Sequence, residues 1–278
     1  MSNLLIRAIT GALFVVVVVS ATWYSFWTFS GLLFFVMFIG LKEYLGMLEK
    51  DLSYGLRALY LAVGSAFYFL AMFSFIRFQS AEEHGFVSAM SGLFAVISLM
   101  MILDLFQKKA IMPRIFGTIP LGIIYCSLFI PSWFFVFLKV ASWDGFYPLF
   151  LGFVFLVWAN DTFAYLTGRL IGRTKLFERI SPKKTWEGTV GGFVFCMVTA
   201  WIISMFFTQL DVGGWLIMAV ITAPAATLGD LVESMMKRKA GVKDSGNLLP
   251  GHGGILDRFD ATIIASPPVV AFLMYWMK

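Results

Sequence analysis

Between Ala8 and Gly40 the chain runs 33 residues without one charged side chain. As a single helix this stretch would extend about 50 Å, well beyond the roughly 30 Å hydrocarbon core of a bilayer. It is therefore expected to fold as two shorter helices. The turn belongs at Trp23, Tyr24, Phe26 and Trp27, since aromatic side chains favour the headgroup level. Val18 and Ser20 mimic a signal-peptidase site, but apolar sequence continues directly after them, so a retained first helix is the simpler expectation.

Similar apolar runs follow at residues 58–76, 86–106, 116–138, 149–166, 190–207, 213–231 and 261–277, which makes nine expected spans. They are continuous, whereas strands of an outer-membrane barrel would alternate over about ten residues. Hydrophobic residues make up 60% of the chain and charged residues 13%, far from a soluble average of roughly 45 to 50% apolar. The expected fold class is all-α: a polytopic integral membrane helical bundle with about nine transmembrane helices. No internal repeat, low-complexity tail or long linker is visible. Residues 1–278 are thus expected to form one membrane-embedded domain, with 1–145 supplying N-terminal helices and 146–278 the chemistry. Cys126 and Cys196 both lie in apolar runs, which argues for packing and against disulfides or thiolate metal sites.

Alternating the loops across the membrane sorts the 21 basic residues into 18 on one side and 3 on the other. The minority is Arg77, Lys139 and Lys278. The majority side includes six residues from Arg169 to Lys184 and five from Lys237 to Arg258. Lys and Arg accumulate in cytoplasmic loops, so this asymmetry places the N-terminus and both long basic loops in the cytoplasm and the C-terminus outside. The expected location is a bacterial cytoplasmic (inner) membrane.

Two acids follow apolar runs: Asp161 after FLVWAN and Asp230 after APAATLG. A carboxylate at mid-helix costs about 2.5 to 3.5 kcal/mol on insertion scales and usually has a partner and a function. Each, taken alone, also fits a side chain reaching the headgroup layer. If the helix bearing Asp230 continues, Ser234 and Lys237 at i+4 and i+7 join its polar stripe, while Glu233 and Lys237 suit an ordinary surface ion pair. Asp257 and Asp260, spaced i,i+3, precede the last apolar run. Carboxylates beside phosphate-binding cations suit Mg²⁺, a hard ion that takes oxygen ligands and shares them with substrate phosphates. Pro250 to Gly254, PGHGG, permits close backbone approach to a ligand and equally permits a tight turn. In the other basic loop, Ser181 and Pro182 read as an N-cap and first-turn pair, predicting a helix start with Lys183 and Lys184 at an anion-binding N-terminus. A basic loop attracted to anionic lipid explains the same charges. No P-loop, zinc motif, nucleophile elbow or nucleic-acid module is present.

The segment SMMKRKAGVKDSGNLLPGHGGILDRFD resembles the signature of the phosphatidate cytidylyltransferase (CDP-diacylglycerol synthase) family. The pattern S-x-[LIVMF]-K-R-x4-K-D-x-[GSA]-x2-[LIF]-[PG]-x-H-G-G-[LIVMF]-x-D-R-[LIVMFT]-D is filled without departure. Ser234, Lys237, Arg238, Lys243, Asp244, Gly246, Pro250, His252, Gly253, Gly254, Asp257, Arg258 and Asp260 occupy its most restricted positions. LGDLVES around Asp230 and the stretch from Asp161 through SPKKTWEG are also similar to the family's.

This resemblance implies transfer of the cytidylyl group of CTP to phosphatidic acid, with Mg²⁺ required and a second cation allowed. It also implies Asp230, Asp257 and Asp260 as cation ligands, with Asp161 a weaker candidate. Arg169, Lys183, Lys184, Lys237, Arg238, Lys243 and Arg258 would share the phosphates, and Ser234 and His252 would contact metal or phosphate. The partners implied are CTP and membrane lipid, with no nucleic acid and with room for a homodimer. A cation-coupled transporter, a CTP-dependent lipid kinase and a noncatalytic lipid-binding scaffold stay open as rival classes.

Overall fold

A computed structural model describes residues 3–48, 53–77, 118–249, 251 and 253–277. Nine α-helices occur among them. The first two, α1 (Asn3–Tyr24) and α2 (Phe26–Leu48), meet at Ser25, within the expected aromatic turn. There the Thr28 amide donates to Ser25 Oγ at 3.2 Å and the Ser25 amide to Thr28 Oγ1 at 3.1 Å, a reciprocal cap that ends one helix and starts the next. Trp23, Tyr24 and Trp27 are exposed around this turn.

Helix α3 is Tyr54–Arg77. The expected span at 86–106 lies outside the described residues. The expected span at 116–138 is described from Thr118 and is a broken one, made of α4 (Thr118–Ser127), a single 3₁₀ turn (Ile130–Ser132) and α5 (Trp133–Val140), bent by 45°. Pro131 accounts for the bend, because it supplies no backbone N–H and its ring crowds the preceding turn.

The remaining helices are α6 (Trp143–Ile171), α7 (Trp186–Ser204), α8 (Val212–Lys239) and α9 (Leu256–Trp276). Six helices, α2, α3 and α6 to α9, are long and apolar enough to cross a membrane; the bent pair makes a seventh, and α1 adds the shorter apolar stretch Ala8–Tyr24. The protein is an integral membrane helical bundle.

One local expectation is overturned. Ser181 does not cap a helix: it opens the strand β2 (Ser181–Thr185), paired antiparallel with β1 (Lys175–Phe177). The residue before a proline is pushed away from the helical region, so Ser181–Pro182 continues as extended chain. Helix α7 begins later, at Trp186, where Thr185 Oγ1 accepts from the Gly188 amide at 3.2 Å. Glu187 in its first turn accepts from the Arg173 and Thr174 amides, each at 3.1 Å, and ties the hairpin to the helix.

Helices α6 and α7 approach closely through small residues. A Cβ on Gly188 would lie 2.7 Å from the Ala164 carbonyl oxygen, and one on Gly192 would lie 2.7 Å from that of Asn160. Such small-xxx-small faces let spanning helices pack backbone to backbone where lipid provides no hydrophobic drive. Around the bundle centre, Phe29 of α2 packs on Phe150 of α6 with centroids 4.8 Å apart, and Trp133 lies 5.0 Å from both Phe150 and Phe153. Helices α2, α5 and α6 therefore share one aromatic layer. Gly192→Leu is expected to wedge α6 from α7 and to destabilise by about 1 to 3 kcal/mol. The measurement is a fall in Tm of the purified protein, with Val194→Leu on the exposed face leaving Tm unchanged.

Candidate active site

Asp161 stands 18 residues along α6 from Trp143, and Asp230 stands 18 residues along α8 from Val212. At helical rise both distances are about 27 Å, nearly one hydrocarbon thickness, so the two carboxylates reach the same interface. Helix α9 runs the other way and brings Asp257, Arg258 and Asp260 in its first turns to that level. The hairpin strand β2 adds Lys183 and Lys184.

These elements enclose a cavity of about 700 Å³. Asp161, Arg169, Lys183, Lys184, Asp230, Lys237, Asp244, Asp257, Arg258 and Asp260 all line it, so residues spread over nearly a hundred positions of sequence are brought together. Ser234 is buried behind the wall and donates from Oγ to Asp230 Oδ1 at 3.2 Å. Arg238 and Lys243 are exposed and outside the lining; Arg238 donates to the Val242 carbonyl at 3.4 Å and closes the end of its own helix. His252 lies outside the described residues.

Two lysines organise the charges. Lys184 Nζ lies 2.6 Å from Asp230 Oδ2 and also donates to the Thr227 carbonyl at 3.3 Å. Lys237 pairs with Glu233 on its own helix and, at 2.7 Å, with Asp257 Oδ1 on α9. The Glu233–Lys237 pair was expected on a solvated helix surface. It is instead internal, with Glu233 at 0% exposure, because α8 packs its polar stripe against α9. Asp257 Oδ2 accepts from the Ser245 amide at 2.9 Å and the Gly254 amide at 2.8 Å, so this carboxylate also holds the loop before α9.

Asp230, Glu233 and Asp260 form a separate constellation. One oxygen from each lies within 4.8 Å of the others, a spacing that fits three ligands of one cation. All three donors are hard carboxylate oxygens, Glu233 is fully buried and Asp260 is only 9% exposed, and the two lysines paired with Asp230 and Glu233 leave one carboxylate's charge over, a donor set that suits a divalent cation. Asp257 is not part of this trio.

Several contributors escape a reading of the sequence alone. Glu233 is one, although LGDLVES places it at i+3 from Asp230 and hence on the same face. Asn160 is another: it is buried beside the cavity, and its Nδ2 donates to Asp161 Oδ1 and Thr227 Oγ1, each at 3.3 Å. The most distant is Glu43 of α2, which accepts from the Ile255 amide at 3.1 Å, the Leu256 amide at 2.9 Å and Ser245 Oγ at 3.1 Å. A signal for Glu43 was present, a carboxylate three residues beyond the apolar run FVMFIG, close to the pattern that singles out Asp161 and Asp230 but with Lys42 between.

The sequence profile of the cytidylyltransferase family matches residues 5–276, nearly the whole chain. The chain belongs to that family. Among curated relatives, a phosphatidate cytidylyltransferase of Haemophilus influenzae is 47% identical over 131 residues, 45% of this chain and 46% of the relative. A phosphatidate cytidylyltransferase of Staphylococcus haemolyticus is 45% identical over 135 residues, covering 48% of this chain and 51% of the relative, and one of Staphylococcus aureus is 43% identical over the same length and shares. The matched stretch spans about half the length of these relatives. Within a cytidylyltransferase, a cavity that joins paired lysines to an acidic trio has the two charge types that nucleotide phosphates and a divalent cation require.

Lys237→Met tests the electrostatic arrangement. Removing one partner of a buried charge group typically costs about 3 to 5 kcal/mol, because the other charges are left uncompensated. A marked fall in Tm is expected, with part of the loss recovered in Lys237→Met combined with Glu233→Gln.

Proposed function

We propose that this protein transfers the cytidylyl group of CTP to phosphatidic acid at the cytoplasmic face of a bacterial inner membrane, yielding CDP-diacylglycerol and pyrophosphate. The observation that carries the reading is the cavity at one interface of the bundle, where Lys184 and Lys237 meet the Asp230, Glu233 and Asp260 trio. CTP arrives from water and phosphatidate from the bilayer, and this cavity lies where both are available. The names of the relatives point to the same lipid and nucleotide chemistry.

In the proposed reaction an oxygen of the phosphatidate phosphate attacks the α-phosphorus of CTP in line, and the bond to the bridging oxygen of the β-phosphate breaks as pyrophosphate leaves. Catalysis of this kind rests on positioning and charge neutralisation. The attacking phosphate is already ionised near neutral pH, so no side chain need remove a proton from it, and His252 is not required as a base. Lys183, Lys184, Arg169 and Arg258 border the volume open to the phosphates. Lys237 holds Asp257, which fixes the loop and the first turn of α9, so the carboxylate of Asp260 is presented one turn later. Asp230, Glu233 and Asp260 would hold Mg²⁺, which when bound supplies neutralisation of the phosphate oxygens. The excess of basic residues in alternate loops supports an N-terminus and site on the cytoplasmic side with the C-terminus outside, and in this reading the whole chain acts as one catalytic domain.

Among the described residues, the acids and cations that line the cavity gather at one interface of the bundle, which favours an enzyme over a cation-coupled transporter. Purified protein incubated with phosphatidate vesicles, Mg²⁺ and CTP labelled at the α-phosphorus is expected to produce labelled lipid. Label retained in soluble CDP would instead indicate a lipid kinase, and absence of any labelled product under all cation conditions would reject the enzyme. Asp257→Asn weakens the contact with Lys237 and misplaces the loop, and it is expected to reduce turnover by about 100-fold or more.

A further inference from the structure

Glu43 reaches the site from the opposite half of the chain. It lies more than two hundred residues before the loop it binds, on a helix whose one other charged residue is Lys42. Its half-buried carboxylate takes three donors: the Ile255 and Leu256 amides and the Ser245 hydroxyl. The first two are among the otherwise unpaired amides at the start of α9, which has no side-chain cap from its own N-cap residue, Ile255. Glu43 therefore caps α9 from another helix, and its negative charge sits at the positive end of that helix dipole.

The surroundings are shaped to admit this carboxylate. A Cβ on Gly246 would lie 2.8 Å from Glu43 Cδ, and one on Gly254 would lie 2.7 Å from it. Any larger residue at either position would displace the acid. Ser245 is shared between two carboxylates, its hydroxyl going to Glu43 and its amide to Asp257. Gly254 likewise packs on Glu43 and donates its amide to Asp257. Glu43 and Asp257 thus grip the same short loop from two sides, and Asp257 in turn holds Lys237.

We propose that Glu43 is a positioning residue for the reaction: it fixes Ser245, Gly254 and the first turn of α9, and through them sets the placement of Asp257 and Asp260. The N-terminal helices are then a working part of the active site in addition to spanning the membrane. The inference rests on the cytidylyl-transfer reading for its kinetic arm only.

The test uses the full chain in nanodiscs with Glu43→Ala and Glu43→Gln. Hydrogen exchange at the Ile255 and Leu256 amides is expected to rise to that of an unprotected loop in Glu43→Ala, with exchange in the 175–185 hairpin unchanged. Turnover is expected to fall by about 100-fold in Glu43→Ala and about tenfold in Glu43→Gln, which keeps one acceptor oxygen and the side-chain length. The KM for CTP should stay within about threefold, since the hairpin and α6 cations remain in place. If Glu43→Ala does not survive purification, Glu43→Gln decides by the same two readouts. Wild-type exchange at Ile255 and Leu256, or a loss of Tm with wild-type turnover per folded molecule, would overturn the proposal. A wild-type protein without cytidylyl transfer would reject the reaction assigned above, while the exchange data would still judge whether Glu43 anchors α9.

Discussion

Lys237 lies between Glu233 of its own helix and Asp257 of α9, and the rest of the site is arranged around that contact. An ammonium group removed from water needs close counter-charges, and two carboxylates on two helices provide them. The contact fixes the rotation of α8 so that its polar stripe faces α9. That rotation places Asp230 and Glu233 opposite Asp260, and the Lys184 hairpin covers the open side. Six carboxylates, Asp161, Asp230, Glu233, Asp244, Asp257 and Asp260, then lie in or beside one cavity, with Lys184 and Lys237 in direct ion pairs with three of them. Asp230 and Glu233 each take one lysine, and Asp260 brings a third carboxylate oxygen within 4.8 Å of theirs, so the trio carries more negative charge than its two lysines offset.

Architecture explains how a membrane protein can carry so much charge. Helices α6 and α8 are 29 and 28 residues long, so each crosses the hydrocarbon and projects beyond it. Their acids sit about one bilayer thickness from the far end, at the level where hydrocarbon gives way to water. The glycine face between α6 and α7 lets the hairpin side of the cavity lie close against α6. The aromatic layer joining Phe29 to Trp133 and Phe150 fixes the N-terminal helices to this frame, and it brings α2 near enough for Glu43 to reach α9.

Much of this was legible in the sequence because it depends on local rules. The length of uncharged stretches predicts helical spans, the 33-residue run predicts the break at Ser25, and helical spacing predicts that Ser234 and Lys237 follow Asp230 on one face. Other features depend on contacts that spacing does not encode. Whether the Glu233–Lys237 pair is solvated or internal is decided by what packs against it, and the partner is a helix some twenty residues further on. Ser181–Pro182 offers a helix cap and an extended dipeptide at once, and pairing with Lys175–Phe177 selects the second. Pro131 breaks a run that hydropathy alone reads as one span. Glu43 is the clearest case, since its three donors all belong to a loop at the other end of the chain.

The central claim is that Asp230, Glu233 and Asp260 hold the cation that receives the phosphates of the nucleotide. Anomalous diffraction from crystals of the protein with CTP and Mn²⁺ tests it most directly. A peak bonded to oxygens of these three residues and to a CTP phosphate is the expected result. A peak held by other acids, such as Asp161 with Asp244, with the trio left uncoordinated, would contradict it.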